Sequence, residues 1–354
     1  MSPADFVSPL RSQETDVLII GAGPVGLFAA FQLGLLGLKA RLIDTLDRPG
    51  GQCAELYPDK PIYDIPGWPV ISGQELTDRL IEQIAPFEPE FRFNQRVDSL
   101  TRRPDGSFQI VTDAGEVHVA PVVFIAAGVG SFTPRRLKLG GIEPYEGKSL
   151  FYAVRERAEF EGSDLVILGG GDSALDWALD LLPAVKSLTL VHRRDKFRAV
   201  PHTVRAMEAA VAEGRMNFVM GVLERLDGVD GGDNGELTAV TVKSETGSTT
   251  IEADRVLAFF GLNIELGPIA EWSLDLADGK QIRVDTAKFQ TSTPGIFAIG
   301  DINSYPGKLK LILCGFHESA LAAQEAFRIA RPDEKLRFQY TTSSSELKRR
   351  LKVA

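Results

Sequence analysis

Short apolar runs that end in glycine recur along the chain, each followed by a segment rich in Ala and Leu. The first is Asp16-Val-Leu-Ile-Ile-Gly-Ala-Gly-Pro-Val-Gly26. An apolar run without polar alternation suits a strand buried on both faces, and the segment behind it, to about Gly37, predicts a helix. A second strand is predicted over 39–44. The same order returns at Asp164-Leu-Val-Ile-Leu-Gly-Gly-Gly-Asp-Ser-Ala174, with a helix to about Leu182 and a strand over 187–192. Each is a strand–helix–strand unit, which requires a right-handed crossover and parallel strands. Strand-like runs broken by turn dipeptides come next in both halves. They cover 91–127, around Asp105-Gly106 and Ala114-Gly115, and 216–260, around Asp227-Gly228 and the Gly231-Gly-Asp-Asn-Gly235 loop. Both halves close on a further apolar run into glycine, at 122–128 and 256–261.

Such a duplication predicts the α/β class: two doubly wound, Rossmann-like dinucleotide-binding domains. The length, 354 residues, fits two or three domains. After about 290 the chain offers one strand, in Gly295-Ile-Phe-Ala-Ile-Gly-Asp301, one helix over about 315–329, and a polar tail. A strand and a helix cannot bury a core alone, so this segment is expected to rejoin the first domain. The expected boundaries are 1–128 with 291–330 for the first domain, 129–290 for a second domain inserted in it, and 331–354 for a C-terminal extension.

Chemistry enters with the glycines. Gly21-x-Gly23-x-x-Gly26 sits between a buried strand and a helix, where the first glycine permits a tight turn and the second lets backbone approach a pyrophosphate. The third lets helix and strand pack closely. Pro24 lies in the first helical turn, and the helix N-terminus offers unpaired N–H groups to phosphate. Asp44 closes the second strand, placed to accept ribose hydroxyls. The second fingerprint is Gly169-x-Gly171-x-x-Ala174, with Asp172 and Ser173 between. Its second strand ends on His192-Arg-Arg-Asp-Lys-Phe-Arg198, arginines standing where an NAD site carries an acid. Guanidinium forks suit a phosphate dianion, so Arg193, Arg194 and Arg198 are read as 2′-phosphate binders, hence NADPH. Two dinucleotide sites point to one bound flavin dinucleotide and one diffusible nicotinamide. Asp301, after a strand and before a helix, is placed for a flavin ribityl hydroxyl, which assigns FAD to the first fingerprint.

Composition narrows this further. A net charge of −9 disfavours a nucleic-acid binder that relies on bulk positive charge. Histidines 118, 192, 202 and 317 lack metal-ligand spacing. The N-terminal stretch is polar, and no apolar run approaches the roughly 20 residues of a membrane span. Two cysteines, Cys53 and Cys314, suit a reducing compartment. The cytoplasm is the expected location.

With these residues in view, the chain resembles the thioredoxin-reductase-like flavoproteins of the pyridine nucleotide-disulfide reductase superfamily. Within them it is most similar to the ferredoxin/flavodoxin–NADP⁺ reductases. The resemblance rests on Gly21–Gly26, Gly50-Gly-Gln52, Tyr63-Asp-Ile-Pro-Gly67, Gly169–Ala174, His192-Arg-Arg194 and Thr293-Pro-Gly-Ile-Phe-Ala-Ile-Gly-Asp301. A thioredoxin reductase carries Cys-x-x-Cys near the second fingerprint; here that stretch has no cysteine. Five residues after Cys53 stands Pro58, so the other disulfide-reductase pairing is missing too. A dithiol relay needs a resolving partner, and both cysteines are read as structural.

The resemblance implies an enzyme using FAD and NADP(H) to exchange electrons with ferredoxin or flavodoxin, and a homodimer. It places Tyr57 on one flavin face and Tyr340 on the other as the residues nearest the chemistry, with no acid–base residue. It also implies FAD contacts at Gln52, Val97, Phe132, Thr342 and Ser343. An acidic carrier calls for a basic docking face, for which Arg135, Arg136, Lys138 and Lys348-Arg-Arg350 are candidates. The alternatives are another acceptor (a quinone, a small disulfide, oxygen) or a thioredoxin-reductase homologue without its cysteine pair.

Overall fold

Val17–Ile20 (β1) is buried at all four residues, as a strand covered on both faces must be. The computed structural model describes residues 13–229, 234–336 and 340–353. β1 feeds a helix at Pro24–Leu35 (α1), whose first-turn proline has its φ preset and lacks only an N–H that no helix start can pair. The helix stops at Gly37, where φ is +77°. There Gly37 N–H reaches Gly34 O and Leu38 N–H reaches Leu33 O, the two closing bonds of a glycine-terminated helix. Ala40–Ile43 (β2) follows, then Gly51–Leu56 (α2) and Gly73–Ile84 (α3). Ser72 caps α3 by accepting Glu75 N–H at 3.1 Å. Glu90–Arg92 (β3) completes the parallel set on this side. Val97–Arg102 (β4), Phe108–Thr112 (β5) and Val117–Ala120 (β6) form an antiparallel layer before Val122–Ile125 (β7) returns to the parallel sheet.

The chain divides into two compact units, one reaching Ser131 and resuming at Ile264, the other Phe132–Asn263. In the second unit Leu150–Phe151 (β8) and Asp164–Leu168 (β9) lead to Asp172–Leu181 (α4). Ser187–His192 (β10), Pro201–Ala212 (α5) and Asn217–Met220 (β11) follow. Val222–Gly228 (β12), Leu237–Ser244 (β13) and Gly247–Glu252 (β14) make an antiparallel sheet, and Arg255–Ala258 (β15) closes the unit. Leu150, Val166, Leu168, Val240, Val242 and Val256 form its core.

Back in the first unit, Ile296–Ala298 (β16) pairs with β7, Ile312–Ala330 (α6) lies on α1, and Ser345–Arg350 (α7) follows near the C-terminus. The parallel sheet of the first unit runs β16-β7-β1-β2-β3 and that of the second β8-β15-β9-β10-β11. Both have the fingerprint strand third. The outer strand beside β7 comes from the end of the chain, whereas its counterpart β8 precedes the fingerprint. The first sheet is therefore completed only by chain that follows the second unit in sequence.

Two sequence expectations need revision. The second unit ends at Asn263, not 290, because Leu266, Ile269, Leu274 and Ile282 are buried with Leu18, Ile20, Phe108 and Val123 of the first. The expected helix over 315–329 begins three residues earlier, at Ile312. The polar tail contains α7, which is fastened to its own chain. Leu347 is buried, Arg350 donates to Leu35 O at 2.6 Å, and Lys352 pairs with Glu88 at 2.8 Å. Among the described residues no helix is long and apolar enough to cross a membrane.

Candidate functional site

Each fingerprint glycine of the first unit meets a different constraint. Gly21 has φ +107°, and a Cβ there would lie 2.4 Å from Ala126 O. At Gly26 it would lie 2.1 Å from Gly21 O, so α1 rests directly on the end of β1. Gly23 is open: its nearest neighbour is Gly51 Cα at 3.8 Å. Gly23 caps α1 without a side-chain acceptor, and the first turn carries no acid. The initial N–H groups of α1 are therefore left without a side-chain acceptor at the positive end of the helix.

Asp44 is fixed at the tip of β2. One carboxylate oxygen accepts Ala22 N–H at 2.6 Å and the other Leu46 N–H at 2.9 Å. Burial pushes its pKa up, and those backbone bonds pull it back. Each oxygen keeps a lone pair for a hydroxyl donor. Gln95 N–H bonds Asp44 O, which sets the start of β4, with buried Val97, beside the acid.

α2 is docked on the same loop: Gly50 N–H donates to Ala22 O, and a Cβ at Gly51 would fall 2.9 Å from Gly23 Cα. Gln52 is directed at the end of β7, since a Cβ at Gly128 would be 3.3 Å from its Nε2. Tyr57 ends α2, its hydroxyl accepting from Cys53 Sγ at 3.8 Å; burial pushes its pKa up. The Asp301 charge acts on both Cys53 and Tyr57, so the turn after β16 belongs to this cluster.

Burial also pushes the Cys53 thiol up to about 11. It stays protonated at neutral pH, and both cysteines are free. Iodoacetamide labelling of native protein should leave Cys53 unmodified at pH 8 and accelerate only as pH approaches 11. Stoichiometric labelling of Cys53 at pH 8 by peptide mass would refute this.

The second fingerprint repeats the first with one addition. Gly169 has φ +152° and a Cβ there would come 2.8 Å from the Ala174 methyl, whereas Gly171 is open, with Arg198 O nearest at 4.0 Å. Gly171 caps α4 with no side-chain acceptor. The loop after β10 folds back over this end. Arg198 N–H donates to Gly170 O at 2.7 Å, and Asp172 Oδ1 accepts Val200 N–H at 2.8 Å. Asp172 thus also holds the arginine loop, and both it and Ser173 beside it are exposed. His192 packs at a tilt against Phe197, which meets Phe218. Its pKa is lowered by burial first, and then by the charges of Arg193, Arg194 and Arg198, against a backbone bond at Lys196. The charges of all three arginines act on this one imidazole. All three are exposed.

Other expected residues lie elsewhere. Tyr340, Thr342 and Ser343 are exposed, on a tail fastened at the C-terminal end of α1, opposite the fingerprint end of that helix. The side chain of Phe132 lies outside the described residues. Arg136 pairs with Glu146 at 3.3 Å, and Arg350 is engaged with Leu35 O and Glu346.

Two units, each with a glycine-capped helix N-terminus against a parallel sheet, define an oxidoreductase of the two-dinucleotide class. Residues 15–326 match the family model of pyridine nucleotide-disulphide oxidoreductases. Among solved structures, thioredoxin reductase from Lactococcus lactis is similar, with a TM-score of 0.74 and 28% identity over 89% of this chain and 99% of that one. The ferredoxin–NADP reductase of Mesorhizobium japonicum is 60% identical over 340 residues, 96% of this chain and 98% of that one. That of Parvibaculum lavamentivorans is 58% identical over 341 residues, with the same coverage. The chain belongs to the pyridine nucleotide-disulphide oxidoreductases, and within them to the ferredoxin–NADP reductase family. The groups this implies, FAD and NADP(H), fit the two cradles: both leave the second glycine open and a helix start uncapped, and the second carries exposed arginines after its second strand.

Proposed function

We propose that this chain transfers electrons between NADPH and a small one-electron carrier, ferredoxin in the first place and flavodoxin as a second partner. The observation that carries the reading is the opposite chemistry at two otherwise equivalent positions: Asp44 ends one second strand, and Arg193 and Arg194 follow the other. An acid suits a ribose diol and excludes a 2′-phosphate; the arginines suit the phosphate. Close identity to ferredoxin–NADP reductases supports the choice of acceptor.

In this reading FAD lies in the first unit, against Gly21, Gly23, Pro24, Gly26, Asp44, Gln52, Tyr57, the Val97 backbone, Phe132 and Asp301. NADP(H) lies in the second, at Gly169, Gly171, Asp172, Ser173, Arg193, Arg194 and Arg198, with Asp172 also holding the arginine loop. When bound, FAD accepts a hydride and releases its electrons singly. The protein's part is positional. The α1 N-terminus holds the pyrophosphate, Asp44 the ribose and Asp301 the ribityl chain, while the Tyr57 ring covers one flavin face. The protonated, buried Cys53 supplies no thiolate relay.

The exposed Tyr340, Thr342 and Ser343 serve the flavin of a second copy, which makes the working form a homodimer. Two free thiols suit the cytoplasm.

Anaerobic stopped-flow absorbance tests the assignment. NADPH should bleach the flavin, and added ferredoxin or flavodoxin should reoxidise it quickly. Bleaching without reoxidation by either carrier would overturn the acceptor while leaving the two nucleotides in place.

A further inference from the structure

α6 carries a carboxylate where none is needed for packing. Glu318 is 0% exposed, beneath the turn that follows β16. Four donors converge on its two oxygens. Oε2 accepts Gly300 N–H at 2.7 Å and Asn303 Nδ2 at 2.8 Å. Oε1 accepts the Tyr305 hydroxyl at 2.9 Å and Lys308 Nζ at 2.5 Å. Lys308 Nζ also donates to Gly300 O at 2.9 Å, and its side chain is only 7% exposed. Both backbone polar groups of Gly300 are therefore held by one buried ion pair, and the next residue is Asp301.

The energetics argue for a role other than stability. Removing a carboxylate and an ammonium from water costs several kcal/mol each, and apolar replacements of such pairs are often neutral or stabilising. What the pair provides here is geometry. Gly300 sits at φ +78°, its position backed by Val25 of α1, and Ser319, next to Glu318, donates to Gly315 O and to Val25 O. The 300–308 segment, α6 and the fingerprint end of α1 are thus locked to one another.

We propose that Glu318, with Lys308, is a positioning residue for the flavin: the buried carboxylate fixes the Gly300–Asp301 turn so that Asp301 presents its side chain to the ribityl chain. The inference rests on the assignment of Asp301 to FAD. Lys308 has a second effect. Burial pushes the Asp301 carboxyl up, and the charges of Lys308 and Lys310 pull it down against Glu318. An ionised carboxylate accepts hydroxyl donors with all its lone pairs.

Glutamine at 318 retains one accepting oxygen, turns an NH2 toward a cluster of donors, and leaves Lys308 buried without its counter-charge. The test is a double-mutant cycle on FAD affinity, read by quenching of FAD fluorescence as apoprotein is titrated in, with apoprotein Tm recorded for each variant. Asp301→Ala should weaken FAD by roughly 10-fold, the value of a hydrogen bond to a charged group. Glu318→Gln should weaken it by a similar factor in the parent, but by less than about 3-fold in the Asp301→Ala background, because residues that act through one another couple.

Losses that multiply, or Glu318→Gln binding FAD as tightly as the parent, would overturn the positioning role. Asp301→Ala binding FAD as tightly as the parent would instead overturn the Asp301 assignment, and the inference with it. Should Glu318→Gln fail to fold, Tyr305→Phe removes one donor from the same carboxylate. It should weaken FAD about 3-fold in the parent and have no effect without Asp301; an equal effect in both backgrounds refutes the proposal.

Discussion

Replacing Gly23 by alanine is expected to give a colourless protein that is as stable as the parent apoprotein, whereas replacing Gly26 is expected to damage both stability and FAD binding. Among the described residues, its two chain neighbours apart, nothing lies closer than 3.8 Å to a Cβ at Gly23, and φ there is −71°, so an alanine fits the protein. The methyl instead occupies the path by which backbone approaches pyrophosphate. Losing two charge-assisted hydrogen bonds at about 1.5–3 kcal/mol each weakens FAD by at least roughly 100-fold. At Gly26 the methyl would fall 2.1 Å from Gly21 O, with backbone on both sides of the clash. Overpacking of that kind costs about 1–3 kcal/mol and shifts α1 off β1. Differential scanning of the apoproteins and FAD titration separate the two cases. A Gly23→Ala protein that binds FAD normally would remove the pyrophosphate from this loop.

The second large effect is expected at the arginines. In Arg193→Ala/Arg194→Ala protein, KM for NADPH should rise roughly 100-fold, from two lost charge-assisted contacts to the 2′-phosphate. The value of kcat should change by less than about 3-fold, because a contact made equally in ground and transition states shows in KM alone. NADH lacks that phosphate, so its KM should stay within about 3-fold of the parent value, collapsing the preference between the two nucleotides. Steady-state kinetics with both nucleotides decides it; an equal loss with NADH would mean that the arginines support the fold of the loop and not the phosphate. Asp172→Ala offers a contrast, since it frees Val200 N–H and loosens the loop that carries Arg198.

Much of this was legible in the residues. A four-residue apolar strand running into Gly21 or Gly169 can fold in few ways, because the strand must be buried on both faces and the glycine must turn. Asp44 and Arg193 announce their chemistry by standing at the same place in a repeated unit. The Asp172 interaction was hidden, since its partner is a backbone N–H 28 residues away, a contact no periodicity encodes.

What the sequence by itself determined was the local grammar: two strand–helix–strand units, their glycines, and the switch from acid to arginine. These are set by φ restrictions and side-chain charge, which act over a few residues. The tertiary structure alone decided where long-range burial places the rest. Leu266, Ile269, Leu274 and Ile282 follow no strong helical or strand period, and only their contact with the first core assigns them there. Arg350 reads as the last of three consecutive basic residues in the tail until Leu35 O is found beneath it. Glu318 reads as an ordinary polar position in a helix, and becomes the anchor of a turn only when Gly300, Asn303, Tyr305 and Lys308 converge on it. Local patterns fix which elements form; desolvation and hydrogen-bond satisfaction across distant segments fix what each side chain does.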